Sequence, residues 1–168
     1  MPEFIPITGA VTGATVYIND KLVARDATIT LPEIVPMTAE VKAMGTMTMP
    51  IWELVENLEL AVTKVGIDLG FRQAITPGVS SIEVRFTQTQ NDANGKAKTI
   101  MCKAFCKGQA LSIPGVSVEV GSASENEIPY SLTRYQLFVN GGEAILVDRL
   151  AGKLRINGVD CTEGLSGL

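Results

Sequence analysis

Histidine is absent from the 168-residue sequence, and aromatic residues make up only 5% of it. The first absence excludes Ser-His-Asp and Cys-His nucleophilic sites and removes the commonest zinc ligand. The second leaves a single tryptophan, Trp52, so the chain lacks the aromatic platforms on which glycosidases hold sugars. We therefore expect no catalytic residue, no metal site and no cofactor.

Carboxylate pairs and a glycine pair are the motifs that most resemble functional sites, but they predict neither a catalytic site nor a phosphate-binding site. Two carboxylates could serve a glycosidase, but exposed acids usually only solvate a face. The pairs in question are Glu53 with Glu56, Glu56 with Glu59, and Glu125 with Glu127. Gly9 and Gly13 lack the remaining residues of a phosphate-binding loop, so we interpret them as turn residues.

The sequence also has no excess of positive charge and no long hydrophobic run. The sequence has fourteen Lys and Arg against eighteen Asp and Glu, and the resulting net charge of -4 argues against nucleic-acid binding. No run approaches the roughly 18 apolar residues of a membrane span. Residues 1–18 have no Lys or Arg before their apolar part, so we expect no signal peptide and a protein that is synthesised and stays in the cytoplasm.

Three cysteines, Cys102, Cys106 and Cys161, are too few and too unevenly spaced for a disulfide framework. On a strand, Cys102 and Cys106 would share a face about 13 Å apart, which is too far for a bridge. We expect all three to be free thiols with structural roles.

Turn signals between alternating segments predict a mainly β chain that forms one domain over residues 1–168. The turns are Asn19-Asp20, Asn91-Asp92 with Asn94-Gly95, Asn140-Gly141-Gly142 and Asn157-Gly158. In SIEVRF, Ile82, Val84 and Phe86 alternate with polar residues, as in a half-buried strand. The other predicted strands lie within residues 15–31, 96–108, 129–139, 143–148 and 153–156.

Two segments between these strands are harder to assign. Residues 51–65 fit a helical apolar stripe and an alternating strand about equally well, and residues 66–75 offer a rival short helix. Residues 32–50 contain three prolines and little evident alternation, which predicts a long irregular arm. We expect the arm to contact a neighbouring subunit because methionines are costly to expose, and the alternative is a flexible surface loop. The arm residues in this hypothesis are Met37, Lys42, Met44, Gly45, Met47 and Met49.

The two ends of the chain resemble those of the major tail tube protein of contractile-tailed bacteriophages. The matching segments are VYINDKLVARDATITLPEI (16–34) and TRYQLFVNGGEAILVDRLAGKLRINGVD (133–160). The most specific part is the closing Asn157-Gly158-Val159-Asp160. Leu31-Pro32 before the arm, the strand-turn-strand of residues 85–100 and an irregular stretch at 109–128 follow the same order. The chain departs from the pattern at Asn19-Asp20, where the family commonly has Asn-Gly.

The resemblance implies an antiparallel β-sandwich or barrel-like tail-tube domain with one short helix and a long arm loop. It implies strands over residues 51–65 and the helix around residues 67–74. Functionally, it implies hexameric rings stacked into a hollow tube inside a contractile sheath, in a phage tail or a phage-derived contractile bacteriocin. The implied partners are further copies of the chain, the sheath protein, and the baseplate and tail terminator proteins, and in a phage DNA would only pass through.

An acidic channel wall would repel passing DNA, and Glu53, Glu56 and Glu59 are the candidate wall acids. Strand register decides which side each carboxylate takes, so a plain solvated face is the equal alternative. The competing function is a monomeric or small-oligomer β-sandwich binding module, such as an adhesin or a carbohydrate-binding domain. The discriminating property is size, since only the first function requires rings or tubes.

Overall fold

The computed structural model describes residues 5–165 and 167–168, and this part of the chain is mainly β. The first four residues, on which the signal-peptide expectation partly rests, lie outside it. The strands are β1 (Ile7–Ile18), β2 (Lys21–Arg25), β3 (Thr28–Thr30), β4 (Pro36–Lys42), β5 (Thr46–Val55), β6 (Leu58–Val65), β7 (Ser80–Asn91), β8 (Ala97–Ala110), β9 (Glu125–Val139), β10 (Gly142–Asp148), β11 (Lys153–Ile156) and β12 (Val159–Asp160). One helix, α1 (Leu69–Ala74), lies between β6 and β7, and a 3-10 turn (Glu163–Leu165) follows β12.

Nearly all strands belong to one branched antiparallel sheet. Its main path runs β12-β11-β10-β9-β8-β7-β1-β2, and a branch leaves β9 through β6 to β3. The remaining strands, β4 and β5, form a separate two-stranded hairpin. The predicted mainly antiparallel β fold with one short helix is confirmed, although the described strands do not close into a barrel.

Strand β9 is shared by both parts of the sheet. Its first half, residues 125–132, pairs with β6, whereas its second half pairs with β10. Ile128, Tyr130 and Leu132 are buried at even positions, but after an irregularity in the β8–β9 pairing the buried position becomes Tyr135. A Cβ at Gly108, beside this irregularity, would lie 2.2 Å from the Ser131 carbonyl oxygen. Glycine at that position therefore permits the close strand approach at the branch point.

The core lies between the branch and the main sheet. Leu58, Leu60 and Val62 of β6 are buried at alternate positions, which is the period of a strand with one face on a core. They pack in one cluster with inward residues of β1, β7, β8, β9, β10 and β11 and with α1. This confirms two strands over residues 51–65, because the buried positions follow the strand period and the helical stripe does not describe them.

Helix α1 is held to the core at both ends. At its start Asp68 is the N-cap, accepting a hydrogen bond from the Phe71 amide (3.0 Å) and pairing with the largely buried Lys64 (3.2 Å). At its end the Tyr130 hydroxyl donates to the Ala74 carbonyl (2.7 Å). The helix predicted around residues 67–74 is thus confirmed, two residues shorter at its start.

The fold also bears on three further predictions from the sequence. The prediction that the arm is irregular is wrong, because β4 and β5 pair along its length. Gly9 and Gly13 are not turn residues but lie within β1. Cys102 and Cys106 are buried on β8, and they and the half-buried Cys161 are free thiols. Over residues 5–165 and 167–168, no helix has the length and hydropathy needed to cross a membrane.

Candidate assembly surfaces

The arm hairpin has one apolar face and one polar face. Cross-strand partners in an antiparallel pair share a face, and the register pairs Met37 with Ile51, Ala39 with Met49, and Val41 with Met47. These six residues therefore form one apolar stripe, which we call the arm stripe. The opposite face carries Thr38, Glu40, Lys42, Thr46, Thr48 and Pro50. Alternation thus exists in the arm, but threonines, an alanine and a proline make it hard to recognise by composition.

The arm stripe is only partly covered. Met37, Met47 and Met49 remain 47%, 44% and 43% exposed, although they are apolar and adjacent. Two-stranded hairpins are at best marginally stable on their own in water. The stripe therefore has the properties of a surface that another protein surface covers.

Two hydrogen bonds to backbone carbonyls hold the root of the arm. The Glu56 amide donates to the Val35 carbonyl (2.8 Å), and the Arg149 guanidinium donates to the Glu56 carbonyl (3.1 Å). Beyond this root the arm touches the body chiefly where β5 passes β11. The hairpin is thus fixed at its base and projects from the domain.

The six predicted arm residues lie on one hairpin but do not share one face. Met37, Met47 and Met49 belong to the arm stripe, whereas Lys42 lies on the polar face. Met44 and Gly45 form the tip, where both have positive φ (50° and 117°) and Met44 is fully exposed. The tip glycine is therefore required by the turn itself.

The three predicted wall acids are separated by the fold. Glu53 lies on β5 near the arm root, Glu56 lies in the connection between β5 and β6, and Glu59 lies on the outward side of β6. Of the three, only Glu59 stands on the β6–β9 branch, where its cross-strand partner is Ser131. The three acids therefore do not share one strand face.

A different set of acids does share a face. On the outward side of the branch, Glu59 is accompanied by Glu127, paired with Thr63, and by Glu125, paired with Val65. We call this the acidic face. The register fixes its other members as Thr28, Thr30, Ala61, Pro129 and Ser131, so none of these positions is basic. The i, i+2 spacing of Glu125 and Glu127 in a strand was the sequence signal for it.

The outward side of the main sheet has the opposite character. Cations from β7, β8, β9 and β11 stand on it, among them Arg85, Lys103, Lys107, Arg134 and Arg155. Three are paired locally, Arg85 with Glu83 (2.7 Å), Arg155 with Glu143 (2.7 Å) and, at a longer distance, Arg134 with Asp148 (3.9 Å). The Phe105 and Phe138 rings meet edge to face among them, 5.7 Å apart. The sequence analysis did not identify this basic face, because its residues come from four strands that are distant in the chain.

The Glu143 carboxylate accepts three hydrogen bonds on the basic face. Arg155 donates two hydrogen bonds to the Glu143 carboxylate (2.7 and 3.2 Å), and Gln136 donates a third (2.8 Å). These bonds, first of all those from Arg155, hold the pKa of Glu143 below its ordinary value. The carboxylate is therefore charged at neutral pH and joins β9, β10 and β11 across the sheet.

The terminal motif Asn157-Gly158-Val159-Asp160 forms the last hairpin. Asn157 and Gly158 both have positive φ (48° and 80°), as a tight two-residue turn requires, and they connect β11 to β12. Asp160 accepts hydrogen bonds from the Thr162 amide (2.9 Å) and hydroxyl (2.8 Å), which hold its pKa below the ordinary value. The motif thus ends the main sheet and fixes the turn that follows it.

Within residues 5–165 and 167–168, no group of three Cys, Asp or Glu side chains is placed to hold a metal ion. Burial raises the pKa of the Cys106 thiol to about 12, so the reactive thiolate is not formed at neutral pH. The surfaces that remain to be explained are those of contact: the arm stripe, the acidic face and the basic face.

Comparison with known proteins agrees with this picture of a contact-forming β domain. The chain is similar to a chain in the cryo-EM structure of an extracellular contractile injection system, the PVC sheath-tube complex in the extended state, with 13% identity, a TM-score of 0.50, and coverage of 74% of this chain and 87% of that one. It is also similar to a chain in the PVC sheath/tube terminator structure, with 16% identity, a TM-score of 0.52, and coverage of 77% and 95%. These likenesses concern the fold.

No curated protein sequence matches the chain. The model of the phage tail tube protein FII family does match it, over residues 9–165. That match takes in the arm, both outward faces and the terminal motif. The chain belongs to the phage tail tube protein FII family.

Proposed function

We propose that this protein is the repeating structural subunit of a tail tube, in which hexameric rings stack into a hollow tube, and that it has no catalytic activity. The observation that carries the proposal is the arm stripe, an apolar surface on a projecting hairpin of a tube-family subunit. A soluble subunit gains by covering such a surface with another copy. The arm therefore provides the contact between neighbouring subunits or successive rings.

The acidic face is the part of the subunit that we assign to the channel wall. Glu59, Glu125 and Glu127 present negative charge without a basic residue among the positions that register places beside them. A wall of this kind repels the phosphate backbone over about 8 to 10 Å at physiological salt, so DNA passes without being held. In a contractile bacteriocin the same channel would conduct ions.

The basic face and the remaining rim are then available to the partners outside the tube. The names of the two similar structures support a sheath protein and a terminator protein as such partners, and a baseplate completes the set. In this function the protein resides in the tail of a virion or in a bacteriocin particle and is assembled in the bacterial cytoplasm.

Assembly is tested by concentrating the purified protein and examining it by analytical sedimentation and negative-stain microscopy. We expect rings or tubes from the full chain. A variant lacking residues 38–48 should remain a folded monomer, because β4 and β5 contribute little to the core cluster. A full chain that stays monomeric at every concentration would instead favour the small binding module, and normal tubes from the deletion variant would show that the arm is only a loop.

The channel assignment is tested by labelling access in assembled tubes. Cysteine replaces Glu127 on the acidic face in one variant and Lys103 on the basic face in another. A small maleimide should label both positions, whereas a long polyethylene-glycol maleimide should label only Cys at the Lys103 position. Equal labelling of both by the long reagent would place the acidic face outside the channel.

A further inference from the structure

The first half of β1 has an unpaired edge. Strand β1 pairs with β7 along its whole length, but β2 covers its other side only from Thr15 onward. The Ala14 carbonyl, just before this point, accepts a hydrogen bond from the Asp26 amide. Among the described strands none pairs with the outer side of residues 7–13, so their outward amides and carbonyls form an open edge seven residues long.

This edge lacks the side chains that usually protect an edge strand. Natural sheets blunt exposed edges with charged residues, prolines, bulges or very short strands. Residues 7–13, ITGAVTG, contain neither a charge nor a proline, and their one protective feature is the irregular register with β7 between Thr8 and Gly13. By contrast, β2 carries Lys21 and Arg25, β3 has three residues and β12 has two. The first half of β1 is therefore unusual among the edges of this domain.

Nothing within the subunit requires glycine at positions 9 and 13, which lie on the same edge. Neither has a positive φ, so the irregular pairing with β7 does not depend on glycine there. A Cβ at Gly13 would lie 3.7 Å from the Thr87 hydroxyl oxygen, and a Cβ at Gly9 would lie 3.4 Å from the Thr89 carbonyl oxygen. The chain itself could accommodate both side chains. Glycine within a strand also marks places where another backbone approaches closely.

A ring or a stack requires that the edge of one copy meets a different edge of the next copy. The complementary edge should be of similar length and able to donate hydrogen bonds throughout. Strand β4 has seven residues, and its proline, Pro36, is at the first position. Its charged residues, Glu40 and Lys42, hinder pairing with a second β4 but not with residues 7–13, which carry no charge. Strand β5 has Pro50 in its interior, where an amide hydrogen is missing. The outer edge of β4 is therefore the best match that the described strands offer.

We propose that residues 7–13 of β1 form main-chain hydrogen bonds with β4 of a second copy, so that the arm hairpin extends the main sheet of its neighbour. This inference rests on the proposed function, since it names the surface that receives the arm. The pairing stabilises a hairpin that is marginal by itself and removes an edge that would otherwise promote aggregation.

Hydrogen exchange of the full-length protein tests the pairing directly. Amides in residues 7–13 and 37–42 should exchange about tenfold or more slowly in assembled tubes than in the monomer. Exposed loop amides, such as those near Gly115, should exchange equally in both states. If tubes form but these two segments gain no protection, the pairing is wrong while the proposed function stands. If the full chain never assembles, the proposed function fails and the pairing fails with it.

A glycine variant tests the close approach independently. Gly13→Val should leave the melting temperature of the monomer unchanged or higher, because valine suits a strand. The same variant should raise the concentration needed for assembly about tenfold or more, because the added side chain crowds the incoming strand. Gly115→Val is the matched control, since a Cβ there meets nothing within 4 Å and the residue lies in a loop. A Gly13→Val protein that assembles at the concentration of the unchanged chain would overturn the close approach at Gly13, and hydrogen exchange then decides the main-chain pairing.

Discussion

Replacing the methionines of the arm stripe by glutamine should weaken assembly without weakening the subunit. Met37, Met47 and Met49 are 47%, 44% and 43% exposed in the single subunit. Fully burying a methionine stabilises by about 1.5 to 3 kcal/mol, so covering the exposed part of each contributes roughly 0.7 to 1.3 kcal/mol. The three together contribute about 2 to 4 kcal/mol per arm. Because about 1.4 kcal/mol is a factor of ten, the triple variant should need about 30- to 1,000-fold more protein to assemble.

The assay is sedimentation of a concentration series, with denaturant unfolding of the monomer measured in parallel. Glutamine is close to methionine in size and none of the three residues belongs to the core cluster, so the unfolding midpoint should change little. The matched control places glutamine at Thr38, Thr46 and Thr48, on the polar face of the same hairpin. Assembly of the methionine variant at the concentration of the unchanged protein, or an equal loss in the threonine control, would refute an apolar contact through the arm stripe.

Three further outcomes concern the subunit itself. Tyr130→Phe should destabilise the subunit by about 1 to 2 kcal/mol in urea unfolding, because a buried carbonyl in the last turn of α1 loses its hydrogen bond. Tyr17→Phe is the control, and an equal loss of stability in both variants would contradict this role. Gly108→Ala should cost about 3 kcal/mol or more, since the new Cβ would meet a β9 carbonyl at 2.2 Å, and a near-neutral effect would show that the branch point can relax. The pKa of Glu143 is lowered from its ordinary 4.5, chiefly by Arg155, so this pair stabilises the fold above about pH 4.5 and its contribution disappears as the pH falls through the lowered pKa. Glu143→Gln should therefore flatten the acid side of the stability profile, and an unchanged profile would contradict the assignment.

The strands of the main sheet could be predicted from the sequence because their turns have distinct chemistry. Asn140 with Gly141, and Asn157 with Gly158, have the positive φ values that two-residue hairpin turns need, and few other residues tolerate them. The helix was only one of two alternatives in the sequence pattern, and the family resemblance placed it around residues 67–74. Residues 51–65 were ambiguous in the same way, since the apolar positions fit two periods and only the family resemblance decided between them. Local patterns define a strand well when its turn residues are specific.

The arm and the two charged faces show what local patterns miss. The arm alternates, but its stripe mixes methionine with alanine and valine, and the intervening threonines are not strongly polar. Its hairpin was therefore mistaken for an irregular segment. The predicted wall acids Glu53 and Glu56 are close to Glu59 in sequence, yet Glu53 lies on β5 and Glu56 lies in the connection before β6, so neither stands on the branch. Faces of a sheet are assembled by long-range register, which residue spacing within one segment cannot supply.

Strand β9 gives the subunit a mechanical property that matters for a tube under load. Its first half is hydrogen-bonded into the β6 branch and its second half into the path to β10, so one covalent chain runs through both layers. Sliding one layer past the other would require breaking hydrogen bonds along β9 in shear, together with the close contact at Gly108. If copies stack as proposed, each subunit therefore resists shear between its branch and its main sheet. Deformation under load would then concentrate in the contacts between copies, including the proposed contact of the arm.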